Sequence, residues 1–344
     1  MIPVSFGSDN HSGVHPIVLD ALNRANNDFC VAYGEEEFSH GIENRIATFF
    51  GGNCRVWFTM TGTGANVLSI QYLMHSYHCV ICAHTAHINV HECGAVQKFT
   101  QARLLPITTE DGKLSPELIA PHLEGKGDVH MSQYRIISIS QATETGLVYT
   151  VAELRTLADF AHANDMLLHV DGARLANALV ACNTEPSVMF RDAGVDIVSF
   201  GGTKNGLMFG EAIISYLPDR EDDLIFYRKQ AAQLYSKMRY IAAQYDAYLT
   251  DDLWRQNAIQ ANRMTALLAD ELEKLPGVII TQPVEANALF AIMPRHKIAP
   301  LMDKYHFYMW DDCRNEVRLM CSFNTEPEHI DQFIRDYLSI PDPE

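Results

Sequence analysis

Two short segments carry residue types that could act together in catalysis. LLHVDGARLANA, at residues 167–178, places Asp171 and Arg174 in a polar turn after an apolar run. DIVSFGGTKNG, at residues 196–206, places Lys204 in the same way. A carboxylate and an amine at the carboxyl ends of neighbouring strands can hold a pyridine ring between them. The pair therefore predicts a site for pyridoxal 5′-phosphate, whose aldehyde needs a lysine and whose ring nitrogen needs a carboxylate.

Each of these residues also has an ordinary structural interpretation. A lysine in a polar turn is usually solvated. The glycines around Lys204 would, however, let a cofactor approach the backbone, and partial desolvation would make the amine a better nucleophile. Asp171 could cap the next helix, a role that is compatible with pairing to a ring nitrogen. Arg174 could reach the phenolic oxygen of the cofactor or an anionic group of the substrate.

Two further segments suggest ligand contacts. TGTGAN, at residues 61–66, precedes a helical pattern that includes Val67 and Ile70, and backbone N–H groups at a helix start can cradle a phosphate. HTAHINVHE, at residues 84–92, could supply metal ligands, although its spacing matches neither HExxH nor the common zinc patterns. In the other interpretation His87 stacks on the cofactor ring and takes part in proton transfer. The metal alternative would use His84, His87, His91 and Glu92.

The elements that must position these residues alternate in type. Residues 151–164 show one apolar helical face, and short apolar runs read as strands at 56–58, 135–139, 167–170, 197–200 and 211–215. Strand–helix alternation predicts a mostly parallel sheet covered on both faces. Ligands bind such sheets beyond the carboxyl ends of the strands.

The rest of the chain predicts a smaller unit. Residues 222–248 read as one long helix, and residues 254–275 as a second helix that stops at Pro276 and Gly277. About 90 residues of mixed strand and helix patterns follow. We therefore expect a large cofactor-binding domain at residues 1–250 and a small C-terminal α+β domain at residues 251–344.

Composition limits the classes of partner. The 344 residues carry a formal charge of −17, which argues against nucleic-acid binding because that rests on cationic neutralisation of phosphates. The sequence contains no run of 18 apolar residues, so we expect no membrane span. The N-terminal residues do not resemble a secretory signal. Of eight cysteines only Cys79 and Cys82 form a CxxC, which we interpret as a buried strand rather than a redox or zinc motif.

These residues together resemble the threonine aldolase/β-eliminating lyase family, and in particular its low-specificity L-threonine aldolase branch. HVDGARLANA and SFGGTKNG are the most specific matches. TGTGAN resembles the family's phosphate loop. FGSDN at residues 6–10, Tyr33-Gly34, Ala86-His87 and the strand VRLMCS at residues 317–322 resemble its other motifs. The resemblance implies the type I fold of pyridoxal-phosphate-dependent transferases, in the α/β class.

The resemblance also implies roles for individual residues. Lys204 would bind the cofactor covalently, Asp171 would pair with the ring nitrogen, and His87 would stack on the ring. The remaining implied contacts are Gly62 and Thr63 at the phosphate, Arg174 at the cofactor oxygen or substrate carboxylate, Ser8 and Arg318 at that carboxylate, and Lys229 and Tyr33 offered by a neighbouring subunit. The family implies a cytoplasmic homotetramer built from dimers, acting on a small amino-acid substrate.

The expected reaction is cleavage of L-threonine, L-allo-threonine or related β-hydroxy-α-amino acids to glycine and an aldehyde, with His87 as the candidate base for the β-hydroxyl proton. Alternatives are β-elimination, preference for phenylserine, and a zinc enzyme or metal-binding protein. One segment departs from the family pattern. Glu144 of QATETG (residues 141–146) stands where many aldolases carry a histidine, and we expect Gln141 or Glu144 to face the cofactor.

Overall fold

A seven-stranded sheet forms the centre of the larger part of the chain, in a computed structural model that describes residues 4–343. The strand order is β1-β7-β6-β5-β4-β2-β3, and all pairings are parallel except those of β7 with β1 and β6. The strands are β1 Arg55–Thr59, β2 His78–Ala83, β3 Arg103–Ile107, β4 Gln133–Ser140, β5 Leu167–Asp171, β6 Ile197–Gly201 and β7 Glu211–Ser215.

Helices cover this sheet, so its central strands are almost wholly apolar, as expected when both faces are buried. One of them, α3, packs across β1 and β4 to β7. The helices up to residue 249 are α1 Pro16–Ala25, α2 Glu37–Phe49, α3 Gly62–Leu73, α4 His87–Val90, α5 Ala95–Thr100, α6 Pro116–Ile119, α7 Val151–Ala163, α8 Leu175–Ala181, α9 Leu224–Gln230 and α10 Arg239–Leu249.

A second, antiparallel sheet has the order β10-β11-β9-β8. Its hydrophobic core combines Leu319 and Phe333 with Phe6, so the N-terminal segment joins this part of the molecule. The elements are α11 Leu253–Leu272, β8 Ile279–Ile280, β9 Ala288–Ile292, α12 Arg295–Tyr305, β10 Tyr308–Asp311, β11 Glu316–Met320 and α13 Pro327–Ser339. The predicted α/β class with a large parallel sheet and a smaller unit is confirmed. The boundary between residues 250 and 251 stays a prediction.

The expectation of one long helix at residues 222–248 is wrong. The chain leaves the helix after α9, passes through Ala232 at a φ of 58°, and starts α10 only at Arg239. The break lets the side chain of Gln233 reach the start of α3, where its Oε1 accepts a hydrogen bond from Met60 N at 3.0 Å. A tertiary contact therefore overrides a continuous helical pattern.

The interpretation of the CxxC pair as part of a buried strand is confirmed. Cys79 and Cys82 both lie on β2 without solvent exposure, and neither forms a disulfide. Burial raises the pKa of the Cys79 thiol to about 11 and that of Cys82 to about 12. Such thiols are poor nucleophiles and poor metal ligands at neutral pH.

Among residues 4–343, no helix has the length and apolar character needed to cross a bilayer.

The turns after β5 and β6 approach each other closely. The N–H of Gly172 donates to Ser199 Oγ at 2.9 Å, and Gly201 N donates to Gly172 O at 3.0 Å. A Cβ added at Gly172 would lie 1.9 Å from Ser199 O. This contact fixes the two turns that carry Asp171 and Lys204 relative to each other.

Replacing Gly172 with alanine should therefore destabilise the protein, because the added methyl group must displace backbone. We expect a cost of at least about 1–3 kcal/mol, typical of overpacking, measured as a lower Tm or a lower yield of folded protein. Gly41→Ala is the matched control. No heavy atom lies within 4 Å of a Cβ there, and alanine favours the interior of α2. Equal Tm values for Gly172→Ala and wild type would contradict the close approach.

Candidate active site

A cavity of about 380 Å³ opens at the carboxyl end of the large sheet. β6 ends at Gly201, and Lys204 lies in the 3₁₀ turn Thr203–Asn205 that follows it. Asp171 is the last residue of β5, the strand paired in parallel with β6. The cavity is lined by Ser8, Asn10, His87, His91, Glu144, Arg174, Lys204, Tyr308, Met309, Trp310 and Arg318. Five of the ten residues predicted for the site thus line one cavity, namely Ser8, His87, Arg174, Lys204 and Arg318.

Asp171 is only 5% exposed and is held by two donors. Its Oδ1 accepts a hydrogen bond from Ala173 N at 3.0 Å, and its Oδ2 accepts one from Asn66 Nδ2 at 2.9 Å. The N-cap of α8 is Arg174 rather than Asp171. Asp171 therefore stabilises the turn before α8, and its remaining acceptor capacity is available to a ligand.

His87 begins α4 and is tied to a buried carboxylate. Its Nδ1 lies 2.9 Å from Glu92 Oε1, and the same oxygen accepts a hydrogen bond from Asn66 Nδ2 at 2.8 Å. The hydrogen bond to Glu92 raises the pKa of the His87 imidazole above its usual value, although burial opposes the shift. Because an ionised carboxylate only accepts, Nδ1 carries a proton and Nε2 is the ring nitrogen left for other partners.

The four residues of the zinc alternative are not gathered into one site. His84 Nδ1 accepts a hydrogen bond from Thr109 N at 3.2 Å. In residues 4–343, one group of possible metal-ligand atoms lies within 4.8 Å of one another, and it comprises His87, Glu92 and Asp171. His84 and His91 do not belong to this group. The amide of Asn66 donates to one oxygen of each carboxylate of this group.

Arg174 forms a buried ion pair that sequence reasoning missed. Its Nε and Nη2 donate to the two carboxylate oxygens of Asp9 at 2.6 Å and 3.0 Å. Burial alone would raise the pKa of Asp9, but Arg174, Lys204 and Asn287 outweigh it and the pKa is lowered. Asp9 therefore orients the guanidinium whose edge lines the cavity.

Arg318 presents a guanidinium with few partners of its own. It lies on β11, its Nη2 donates to Gly7 O at 3.2 Å, and its Nε is buried without a hydrogen-bond partner in residues 4–343. Burial and the nearby charge of Arg174 lower the pKa of Arg318. An uncompensated guanidinium beside a cavity is suited to a carboxylate ligand.

The two polar candidates after β4 are placed differently. Glu144 lines the cavity, and it acts electrostatically on His87, Arg174 and Arg318. Gln141 is fully buried and points elsewhere, since its side chain exchanges two hydrogen bonds of 2.8 Å with the backbone of Tyr149. Gln141 therefore holds the loop before α7 in place.

The start of α3 has the geometry expected of a phosphate cradle. Thr61 caps the helix, with its Oγ1 accepting from Gly64 N at 3.0 Å. A Cβ placed on Gly62 would meet no atom within 4 Å, whereas one placed on Gly64 would overlap the side chain of Gln233. The backbone N–H groups of a first helical turn lack intrahelical partners. This end of α3 can accept an anion.

A buried carboxyl also lies near Lys204. Glu211, the first residue of β7, pairs in register with Gly201 and is 5% exposed. Burial raises the pKa of Glu211 to about 7, while a hydrogen bond from Thr203 and the charge of Lys204 act in the opposite direction. No feature of the sequence singled out Glu211.

Tyr33 and Lys229 lie outside this cavity. The Nζ of Lys229 lies 5.0 Å from the centre of the Tyr33 ring. Tyr33 lines a different cavity of about 430 Å³, together with Arg228, in which neither Lys204 nor Asp171 takes part. Within one chain the structure therefore does not bring these two residues to the predicted site, and their role across a subunit boundary stays a prediction.

Asp9, Asn66 and Glu92 are the site residues whose roles sequence reasoning missed. Asp9 follows Ser8 in the segment FGSDN, which resembles a family motif. Asn66 lies one helical turn after Gly62, on the same face of α3. Helical spacing could have placed Asn66 near the site. The pairing of Asp9 with Arg174, 165 positions away, has no local signal.

Comparison with known proteins gives a consistent result. The model of the β-eliminating lyase family matches residues 5–295. Two low specificity L-threonine aldolases are similar over nearly the whole chain. The one from Pseudomonas aeruginosa is 38% identical over 96% of each chain, and the one from Pseudomonas sp. is 36% identical over 97% of each. A solved structure of Leishmania major threonine aldolase, 28% identical, superposes with a TM-score of 0.92 over 98% of this chain and 99% of that one.

Asp9→Asn should destabilise the protein, because it leaves the buried Arg174 guanidinium without its counter-charge. Breaking a buried pair in this way costs about 3–5 kcal/mol. Since the folded-state pKa of Asp9 is lowered, this contribution is complete above the unfolded-state pKa and is lost as the pH falls through the folded-state value. Unfolding curves of both proteins should show the full difference above about pH 4, the unfolded-state value, and converge only as the pH falls below the lower folded-state value.

Asp192→Asn is the control, because its ion pair with Arg191 is about two-fifths exposed on both sides and surface pairs contribute little. A pH-independent loss in Asp9→Asn would contradict the assignment of its charge.

Proposed function

Since the chain belongs to the β-eliminating lyase family, we propose that it is a pyridoxal 5′-phosphate-dependent lyase of the threonine aldolase type. It cleaves the Cα–Cβ bond of L-threonine, L-allo-threonine and related β-hydroxy-α-amino acids and releases glycine and an aldehyde. The observation that carries this proposal is the placement of Lys204 just after β6 and of Asp171 at the end of β5, its parallel neighbour, with Arg318 on the cavity that Lys204 lines.

The residues present fit the cofactor. Lys204 offers an amine for the aldehyde, Asp171 offers a buried acceptor for the ring nitrogen, and the start of α3 at Gly62 and Thr63 offers donors for the phosphate. His87 would cover the ring. When bound, pyridoxal 5′-phosphate supplies an aldehyde that captures the substrate amine and a ring that accepts electrons from the bond being broken.

The substrate carboxylate is assigned to Arg318 and Ser8. Both line the cavity, and within residues 4–343 the Arg318 guanidinium makes one hydrogen bond, from Nη2 to Gly7 O, so it has donor capacity left for a carboxylate. Arg174 contributes positive charge at the same place, although Asp9 holds two of its nitrogens. Fixing the carboxylate orients the Cα substituents, so the bond to be broken is selected by position.

Cleavage also requires an acceptor for the β-hydroxyl proton, and we assign it to His87 Nε2. The opposite ring nitrogen donates to Glu92, which fixes the tautomer and stabilises the imidazolium that forms. Because the pKa of His87 is raised, the neutral, proton-accepting form is lost as the pH falls through that value. Glu144, on the same cavity, adds negative charge that favours the protonated product state.

Assembly and location belong to the same proposal. Lys229 and Tyr33 lie together and away from the chain's own cavity, which supports their contribution to the site of a neighbouring subunit in a homotetramer. The cysteines are all free, as expected for a protein that works in the reducing cytoplasm.

Lys204→Ala should abolish the characteristic near-visible absorbance of the cofactor-loaded protein and glycine release from L-threonine. The reason is that Lys204 is the lysine that lines the cavity within residues 4–343. Absorbance after incubation with pyridoxal 5′-phosphate and a glycine assay measure the two effects. Lys274→Ala, at an exposed lysine near the end of α11, should behave as wild type. Release of a 2-oxo acid and ammonia in place of glycine and aldehyde would identify a β-eliminating enzyme instead.

Arg318→Gln should raise KM for L-threonine by about 10–100-fold, the range expected for loss of a charged hydrogen bond, with a smaller change in kcat. Steady-state kinetics give both values. Arg295→Gln removes a guanidinium that is exposed and paired with Asp312, so its KM should stay at the wild-type value. A fall in kcat with an unchanged KM would contradict a carboxylate-binding role for Arg318.

A further inference from the structure

One side chain joins the two halves of the proposed site. Asn66 is 1% exposed and lies in the first turns of α3. Its Nδ2 donates to Glu92 Oε1 at 2.8 Å and to Asp171 Oδ2 at 2.9 Å. Glu92 in turn binds His87. A continuous chain of hydrogen bonds therefore runs from the imidazole to the carboxylate at the end of β5.

The orientation of the amide is determined by its partners. Both neighbours of Nδ2 are carboxylate oxygens, which can only accept when ionised. A flipped amide would place Oδ1 against two acceptors and lose both hydrogen bonds. In the observed orientation Oδ1 is buried without a partner, so the side chain gives up one hydrogen bond to keep the two that it donates.

Two carboxylates in the same buried place would otherwise repel each other. One ring nitrogen of His87 and one carboxylate oxygen from each of Glu92 and Asp171 lie within 4.8 Å of one another. Each of the two acidic residues is 5% exposed. An amide that donates to one oxygen of each carboxylate lowers this repulsion without adding charge.

We propose that Asn66 is a positioning residue that holds Asp171 and Glu92 as separate acceptors, and so couples the ring-nitrogen partner to the ring-covering imidazole. The assignment rests on the proposed function for the role of the ring nitrogen. Without the amide, Asp171 loses one of its two donors and Glu92 loses the partner that fixes its position beside His87. Asn66 touches neither the substrate nor the cofactor in this account.

The charged groups around His87 come from several elements, and any titration of His87 reflects all of them. They are His91 and Glu92 on its own segment, Glu144 in the loop after β4, Asp171 at the end of β5 and Lys204 after β6.

The test compares two ligands on the intact protein. Asn66→Leu keeps the size of the side chain but removes the donor. Its affinity for pyridoxal 5′-phosphate should fall by about tenfold or more, the effect of one charged hydrogen bond. The analogue with carbon in place of the ring nitrogen should lose clearly less affinity in Asn66→Leu than pyridoxal 5′-phosphate does, because the analogue never uses Asp171 and is affected only through His87. Equal losses for both ligands would overturn the proposal and leave Asn66 a purely structural residue.

A second variant adds a readout that packing alone does not move. Asn66→Asp introduces a carboxyl that can donate only when protonated. Its affinity for pyridoxal 5′-phosphate, relative to wild type, should therefore be low above neutral pH and recover as the pH falls. The ratio for Asn66→Leu should not depend on pH in this way. Parallel pH profiles for the two variants would contradict the proposal.

The apoprotein provides a measurement without cofactor. In Asn66→Asp the added negative charge should raise the pKa of His87, followed by NMR of the ring protons. Asn164→Asp, at the C-cap of α7, should leave it unchanged. If the wild-type protein binds neither ligand, the proposed function fails, and the role of Asn66 is then decided by the His87 titration alone. An unchanged His87 pKa in Asn66→Asp would overturn the positioning role of Asn66.

Discussion

The site depends on the close approach of the turns that follow β5 and β6. Gly172 and Gly201 exchange backbone contacts there, and a side chain at Gly172 would overlap Ser199 O. Because the two strands are parallel neighbours, this contact places a carboxylate and an amine at the same end of the sheet. The rest of the site is arranged around that pair. α3 supplies Asn66 on one side, and β11 supplies Arg318 on the other.

The charged side chains of the site differ in whether another side chain of the protein is paired with them. Arg174 is paired with Asp9 and thereby serves as an oriented donor, whereas Arg318 forms no ion pair within residues 4–343 and is influenced by the negative charges of Glu144 and Asp9. Asn66 donates to one oxygen each of Asp171 and Glu92 without adding charge. The proposed substrate carboxylate would therefore add the direct anionic partner that Arg318 lacks in the described part of the chain.

Much of the architecture could be predicted from local pattern. Apolar runs and helical faces between residues 55 and 215 correspond to β1, β4, β5, β6, β7, α3 and α7, and the residues that follow strands indicated where Asp171 and Lys204 would meet. Patterns failed where distant contacts decide the outcome. Gln233 interrupts a helical pattern to reach α3, Asp9 finds Arg174 far along the chain, and Gln141 turns from the cavity to the backbone of Tyr149. None of these partners can be read from neighbours in sequence.

The contact of Arg318 with Gly7 has a consequence for biosynthesis. These residues stand 311 positions apart, and the segment around Gly7 also packs Phe6 into the core formed by the last helices. During translation the strands of the large sheet are synthesised before Arg318 and Phe333, the partners of Gly7 and Phe6. Because residues 308–310 and 318 line the cavity, the wall that they form can be completed only after these residues have left the ribosome, later than the strands that carry Asp171 and Lys204.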